Sequence, residues 1–395
     1  MNKIFSRDES KEDYLEFMKG AVAAFAPGRI EFLGNHLDYN GGTVLGTAIN
    51  AGIYGLALPM EGTEFRLFSE SFEGAEIYGS IQKLEKQTGK QSWGNYCLGV
   101  LQVLQDRGLA PNHGFSLFLT TDLPMSAGLS SSAAVEVATA MCLLQLANQK
   151  ITKNELVNIC RQAENDFVGL PCGILDQGTS TFGKTNQVVQ IDCAKEEYST
   201  HPLPSDTRLW IFDTGIKHDL VDSHYGTRHQ ECTEALKILK LSNPKIQTLA
   251  ECQSEILVDS NLPKKIMKRA SHVVDEQKRV LKFIDELDKS TSPDKLGSIL
   301  TESHYSSSKN FENSIPQLDF LVSELIKEKD VLGARLTGGG FGGAVLAWTT
   351  NDFCKQRASH ISQVYERKWK QEAKFHFFKP SKGASTVDPL HVPKN

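Results

Sequence analysis

The sequence predicts an α+β chain folded as two domains, and three observations carry that expectation. At 395 residues and 40% hydrophobic composition the chain exceeds one ordinary core, since domains run to about 150 residues. Short stretches with the period-two alternation of strands are interspersed with longer stretches of helical period. The composition then shifts after Asp192, and Pro202 and Pro204 interrupt the pattern, placing a boundary near residue 200 and domains at 1–200 and 201–395.

Bulk charge narrows the partners. The net charge is −5 and no Lys/Arg block stands out, so neither nucleic acid nor an anionic membrane is expected, and a small polar substrate is the natural partner. The first dozen residues are charged and carry no apolar h-region, and no apolar run approaches the roughly eighteen residues of a spanning helix. A soluble, cytoplasmic protein is expected. Eight cysteines without a Cys-x-x-Cys pair fit reduced thiols better than a disulfide framework or a zinc site. His218, His224 and His229, with Asp219 and Asp222 between them, follow no familiar metal-ligand spacing and read as a polar loop running into a helix.

Residues 28–42 read Gly-Arg-Ile-Glu-Phe-Leu-Gly-Asn-His-Leu-Asp-Tyr-Asn-Gly-Gly. The first half alternates like a strand through Ile30 and Phe32, and the second gathers Asn35, His36, Asp38 and Asn40 before a Gly-Gly turn. A cation, a carboxylate, an imidazole and amides on one loop suit a ligand made of hydroxyls, although an Asx-rich turn satisfying itself has the same composition. Residues 44–58, 65–68 and 75–78 continue as strands, and 92–107 reads as a helix with Trp93 in its first turn, a position more often core than ligand platform.

A strand at 115–120 feeds the run Leu-Pro-Met-Ser-Ala-Gly-Leu-Ser-Ser-Ser-Ala-Ala from residue 123, and an Ala-rich helix reaches about residue 149. Exposed N–H groups and the helix dipole make such a terminus an anion site, and one serine would suffice for a cap where three are present. Residues 152–168 form a second helix, with Thr152 and Glu155 as a capping box and Glu164 at the edge of its apolar face, where most glutamates are solvated. The turn that follows sets Asp176 behind two apolar residues, as a cap or as a carboxylate in a partly desolvated pocket.

Residues 178–185, Gly-Thr-Ser-Thr-Phe-Gly-Lys-Thr, match the Walker A pattern, and the strand at 209–213 even ends in an aspartate. Context argues against a P-loop, because the match follows a helix and turn and precedes a strand at 187–191. Beyond the boundary, Tyr225 precedes a helix, and 262–289 reads as a charged amphipathic helix, most simply a solvated scaffold. Residues 334–348 place three glycines, a phenylalanine and two more glycines between apolar runs, indicating close backbone packing or several positive φ values. A helix at 352–372 and a strand at 374–378 close the chain.

Taken together, the sugar-like stretch at 28–42, the serine loop at 123–134 and the glycine run at 335–343 resemble the three motifs of the GHMP kinases, and within them the galactokinases, along nearly the whole chain. Trp93-Gly-Asn-Tyr96, the run 170–177, His272-Val-Val274 and Ser303-His-Tyr305 support the resemblance. It implies a two-domain GHMP kinase fold, with an N-terminal domain like ribosomal S5 domain 2 and a ferredoxin-like C-terminal domain, acting on ATP and a sugar as a monomer. By the same resemblance Ser126, Ala127, Gly128, Leu129, Ser130, Ser131 and Ser132 would wrap the ATP phosphates, with Trp93 near the adenine. Ser132 and Glu164 would hold Mg²⁺, and Asp176 would take or orient the anomeric hydroxyl proton with Arg29 in support. Asn35, His36, Leu37, Asp38, Gly173 and Tyr225 would bind the sugar. The implied activity is a sugar 1-kinase for galactose, with another sugar such as galacturonate, or a non-catalytic sugar and ATP sensor, as alternatives.

One residue departs from the resemblance. Galactokinases carry Glu-His-x-Asp where this chain has Asn35-His36-Leu37-Asp38. A glutamate about 4 Å from a uronate carboxylate would cost about 4 kcal/mol at an effective dielectric near 20, a cost that an amide at 35 removes without supplying a cation.

Overall fold

The computed structural model describes residues 18–124, 128–216 and 221–393, without the side chains of 221–223. Strand β1 (Val22–Leu33) is buried along its length apart from Val22. It pairs antiparallel with the long β2 (Thr43–Met60), and the register shifts between Pro27 and Arg29 and again between Glu31 and Leu33. These bulges bracket the segment 29–31 and bend the strand on either side of it. Ile30 and Phe32 alternate with Arg29 and Glu31, and both sets are covered, so the polar pair faces protein rather than solvent.

Strands β3 (Glu64–Ser69), β4 (Ile77–Ser80) and β5 (Gly114–Thr121) extend the sheet on the far side of β2, while β6 (Gln187–Asp192) and β7 (Glu197–Pro202) continue from the start of β2. Helices α1 (Asn95–Asp106), α2 (Ser131–Leu146), α3 (Lys153–Gln162) and α4 (Leu175–Phe182) form the layer beside it, with α2 and α4 against the sheet and α1 and α3 packed on those helices. Thr152 and Glu155 form the expected capping box at the start of α3. The helix expected over 152–168 changes hand-hold after Gln162, continuing as a π-helical segment Ala163–Val168 that carries Glu164. The helix expected from 92 begins as a 3₁₀ turn, Gly89–Gly94, that buries Trp93.

The second sheet comprises β8 (Thr207–Asp213), β9 (Val331–Thr337), β10 (Ala344–Thr350) and β11 (Lys374–Phe378) in the order β11-β8-β10-β9, all antiparallel. That order, with helices on the β8-to-β9 and β10-to-β11 connections, is the ferredoxin-like arrangement. Its helices are α5 (Val221–Ser242), α6 (Ser254–Val258), α7 (Lys264–Asp288), α8 (Pro293–Ser306), α9 (Pro316–Leu325) and α10 (Lys355–Trp369). Tyr225 lies inside α5 rather than ahead of it. Strand β12 (Ser385–Val387) returns the chain to the first sheet beside β1. Glycine permits one close approach: a Cβ on Gly297 of α8 would sit 2.1 Å from the carbonyl oxygen of Leu332 in β9.

The core crosses from one sheet to the other through β1. Phe32 meets Phe283 of α7 and Trp348 of β10 edge-on, at centroid distances of 5.4 and 5.5 Å. Helix α7 is more than a solvated scaffold: its buried face carries His272 and Glu276 as well as apolar side chains, and Gln277 beside them bonds to Thr43. Among the described residues no helix is long and apolar enough to cross a membrane.

Candidate active site

A cavity of about 240 Å³ opens between β1, the segment 171–176 that leads into the first turn of α4, Tyr225 of α5 and the glycine run at 338–339. Its floor is the polar face of β1. Arg29 donates Nε to Asp176 Oδ1 at 2.6 Å and Nη2 to Oδ2 at 2.8 Å, a bidentate pair. Its third nitrogen, Nη1, reaches the carbonyl of Gly128 at 2.8 Å, and its backbone N–H bonds to the carbonyl of Leu129 at 3.0 Å. Gly28 allows this approach, because a Cβ there would meet the Leu129 oxygen at 2.8 Å. Ser130 completes the cluster, its hydroxyl donating to Asp176 Oδ2 at 2.5 Å. One arginine therefore ties the first turn of α4, which carries Asp176, to the loop that precedes α2. Burial works against the guanidinium charge, but Asp176 together with Glu31 and Asp38 outweighs it and raises the Arg29 pKa.

The opposite wall gathers the polar loop after β1. His36 is buried with φ of 62°, and its ring nitrogens bridge the Tyr39 hydroxyl at 2.9 Å and the Gly339 carbonyl at 3.2 Å. Burial first, and then the charge of nearby groups, holds the imidazole pKa down to about 3, so the ring is neutral. The Tyr225 ring lies 5.2 Å from it. Asp38 lines the same cavity against Gly173, where a Cβ would sit 2.0 Å from Asp38 Oδ2, so only glycine fits. Burial, and then the carboxylates of Glu31 and Asp176, push Asp38 up to about 7. The glycine run turns through positive φ at Gly338, Gly340, Phe341, Gly342 and Gly343, and a Cβ on Gly340 would sit 2.2 Å from the Asn313 carbonyl oxygen, so both alternatives read from its sequence hold.

Behind Asp176 lies a second group of acids. Gln177 donates its amide to Glu164 Oε2 at 2.7 Å and to Glu136 Oε2 at 3.0 Å, and both glutamates are buried. Burial and then mutual or neighbouring carboxylate charge raise both pKa values. Ser132, in the first turn of α2, bonds to Glu164. Hard oxygen donors beside the amino end of a sixteen-residue helix are of the kind that could hold a magnesium ion, with Ser132 and Glu164 the residues that would hold it.

Three family descriptions match the chain: "Galactokinase galactose-binding signature" over residues 13–59, "GHMP kinases N terminal domain" over 95–184 and "GHMP kinases C terminal" over 283–367. A galactokinase of Thermotoga neapolitana is 36% identical over 363 residues, covering 92% of this chain and 99% of that protein. The chain belongs to the galactokinase family. A galactokinase of Limosilactobacillus reuteri (strain DSM 20016) is 35% identical over 384 residues, 94% of this chain and 95% of its own length. The crystal structure of Lactococcus lactis galactokinase complexed with galactose superposes with a TM-score of 0.89 at 31% identity, over 96% of this chain and all of that one. A mevalonate kinase structure, at 16% identity and a TM-score of 0.63, shares the fold. This galactokinase-family member is thus a sugar kinase that uses ATP, with GHMP kinase N- and C-terminal regions as the sequence implied.

The structure brings Arg29, Asn35, His36, Asp38, Gly173, Asp176 and Tyr225 onto one cavity. Gly128, Leu129 and Ser130 reach it through Arg29 and Asp176, Ser132 and Glu164 lie together beside it, and Ser131 opens α2 in an exposed position. Ser126 and Ala127 lie outside the described residues. Leu37 does not join the wall; its side chain is fully buried in the core, and its carbonyl closes the turn by accepting from Asn40 and Gly42. Trp93 lies apart from the cavity, its indole N–H donating to the Ala75 carbonyl at 3.0 Å and one face parallel to exposed Phe72.

Glu31, Glu136, Gln177, Glu276 and Arg335 were not singled out from the sequence. Glu31 had a signal, because it alternates with Ile30 and so shares the face of Arg29. Glu136 had another, as the one charged residue in the sixteen of α2. Glu276 had none: it accepts from the backbone of Gly34 and Asn35 across 242 and 241 positions of sequence. The Walker-like run is half helix, since α4 extends through Phe182, and Lys184 is exposed beyond its end. Lys184→Ala is accordingly expected to leave kcat and KM within about two-fold in an ADP-release assay, the scale of an ordinary surface substitution.

Proposed function

We propose that this chain transfers the γ-phosphoryl group of ATP to the anomeric hydroxyl of galactose, giving galactose 1-phosphate and ADP. The observation that carries the reading is the Arg29–Asp176 pair, which stands on the cavity wall and is bonded at the same time to the loop before α2. A carboxylate so placed accepts or orients the hydroxyl proton of a sugar in the cavity while the loop holds the nucleotide phosphates, and Arg29 balances charge that develops between them. Phosphoryl transfer depends on such positioning and charge neutralisation more than on covalent chemistry.

In this reading the loop from Ser126 through Ser132 wraps the phosphates, and the side of the fold bearing Phe72 and Trp93 receives the adenine. His36, Asp38, Gly173 and Tyr225 bind the sugar. Ser132 and Glu164 hold Mg²⁺, which neutralises phosphate charge when bound. Residues 1–200 carry the phosphate loop and residues 201–395 close the cavity from the other side. The chain acts as a monomer in the cytoplasm.

A panel assay tests the reading. ADP release is measured with galactose, galacturonate, glucuronate, arabinose, N-acetylgalactosamine and glucose. Galactose is expected to lead in kcat/KM by at least about tenfold, the discrimination available to a site built around hydroxyl contacts. A different leading sugar would replace galactose as substrate, and ligand binding without turnover by any of them would establish a sensor.

A further inference from the structure

The departure at position 35 can be resolved by following the hydrogen bonds. Asn35 is 1% exposed, and every polar atom of it is engaged by protein. Its Nδ2 donates to Glu31 Oε1 at 3.0 Å and to the Gly338 carbonyl at 2.9 Å. Its Oδ1 accepts from Asn313 Nδ2 at 2.8 Å and from Ser307 Oγ at 3.3 Å. The main chain is held as well, N–H to Glu276 at 3.3 Å and C=O to His272 at 3.2 Å. An amide has two donors and one acceptor oxygen, so nothing is left for a ligand.

Glu31 is the opposite case. Both Asn35 Nδ2 and Arg335 Nη2 bond to Oε1, each at 3.0 Å, while Oε2 accepts from none of the described residues, and the side chain lines the cavity. The Glu31 main-chain carbonyl is fixed too, by Thr337 Oγ1 at 3.0 Å. The result is a carboxylate at the cavity with one oxygen anchored by protein and the other free of a protein donor among the described residues.

We infer that Glu31, not residue 35, is the specificity-determining carboxylate of this sugar site, accepting a hydroxyl of a neutral hexose and excluding sugar acids, with Asn35 as the positioning residue that holds it. This rests on the sugar-kinase reading above. The carboxyl group that position 35 lacks is present one hydrogen bond further back, where burial raises its pKa against the opposing pull of Arg335 and Arg29, so the amide at 35 does not by itself open the site to uronates. A ligand carboxylate about 4 Å from Glu31 would be disfavoured on the order of 10³-fold at an effective dielectric near 20. Arg335, fully buried behind the cavity wall, is the counter-charge that holds Glu31.

Two variants and the wild-type protein test this. In wild type, calorimetry without nucleotide is expected to show galacturonate binding at least about 10²-fold more weakly than galactose. Glu31→Gln keeps the shape but frees Arg335 of its counter-charge. It is expected to raise KM for galactose at least about tenfold with kcat within a few-fold, and to gain at least about tenfold in kcat/KM for galacturonate, the pattern of lost uniform binding. Asn35→Ala is expected to weaken galactose binding without changing the galactose-to-galacturonate ratio by more than about two-fold. The inference is overturned if wild type binds both sugars equally, or if Asn35→Ala alters the ratio while Glu31→Gln does not. Calorimetry reads Glu31 even if no sugar is turned over, an outcome that would count against the kinase reading alone.

Discussion

Asp176→Asn is expected to lower kcat by about 10²–10⁴-fold while galactose affinity changes by no more than a few-fold, the usual range for loss of a positioned proton acceptor. The asparagine keeps one oxygen for Arg29 but turns an amide N–H toward the other guanidinium donor or toward the Ser130 hydroxyl, which now donate to a carboxylate at 2.6, 2.8 and 2.5 Å. The sugar wall formed by His36, Asp38 and Tyr225 is untouched. Calorimetric galactose affinity and single-turnover phosphorylation together check this. Wild-type turnover in the variant would remove Asp176 from the chemistry, and joint loss of binding and turnover would make it a structural residue instead.

The largest stability effect is expected at Arg335. This side chain is fully buried in β9 of the second sheet and reaches β1 of the first, donating to Glu31 Oε1 at 3.0 Å and to the carbonyls of Glu31 and Phe32 at 3.4 and 3.2 Å. Arg335→Leu leaves a buried carboxylate without its cation and the Phe32 carbonyl without the arginine donor, and breaking one side of a buried pair costs about 3–5 kcal/mol. Adding Glu31→Gln removes the stranded charge and is expected to recover about half of that loss. Urea unfolding of both variants gives the comparison. A loss below about 1 kcal/mol in Arg335→Leu would show that the pair does not hold the two sheets together.

The sequence showed the strands and helices because period and capping are local. The alternation of residues 28–33, the capping box at Thr152 and the strand Lys374–Phe378 needed no distant partner. Candidate site residues on short motifs were legible for the same reason: Arg29, His36 and Asp176 sit in short stretches whose composition is unusual. What the sequence hid was non-local satisfaction. Asn35 looked free because its partners Asn313, Ser307 and Gly338 lie 272 to 303 positions away. Helix α7 looked solvated because a glutamate on an amphipathic helix is ordinarily exposed. Glu276 is instead buried; burial alone would raise its pKa, but Arg279 and its other partners hold it down to about 2, and its oxygen receives the N–H groups of the sugar loop. Trp93 shows the converse, a position that reads as core in the sequence and is buried in the structure beside exposed Phe72.

The uninterrupted register between the two bulges of β1 makes that strand a ruler. Arg29 and Glu31 pair with Ala48 and Gly46 on β2, so they project from one face two residues apart, about 7 Å along the strand. One end of that interval faces the carboxylate and the loop before α2, and the other faces the anchored oxygen below Asn35. A slip of one residue would turn both side chains to the far side together, so the spacing of the two charged groups on the cavity floor is set by backbone pairing rather than by any one side chain.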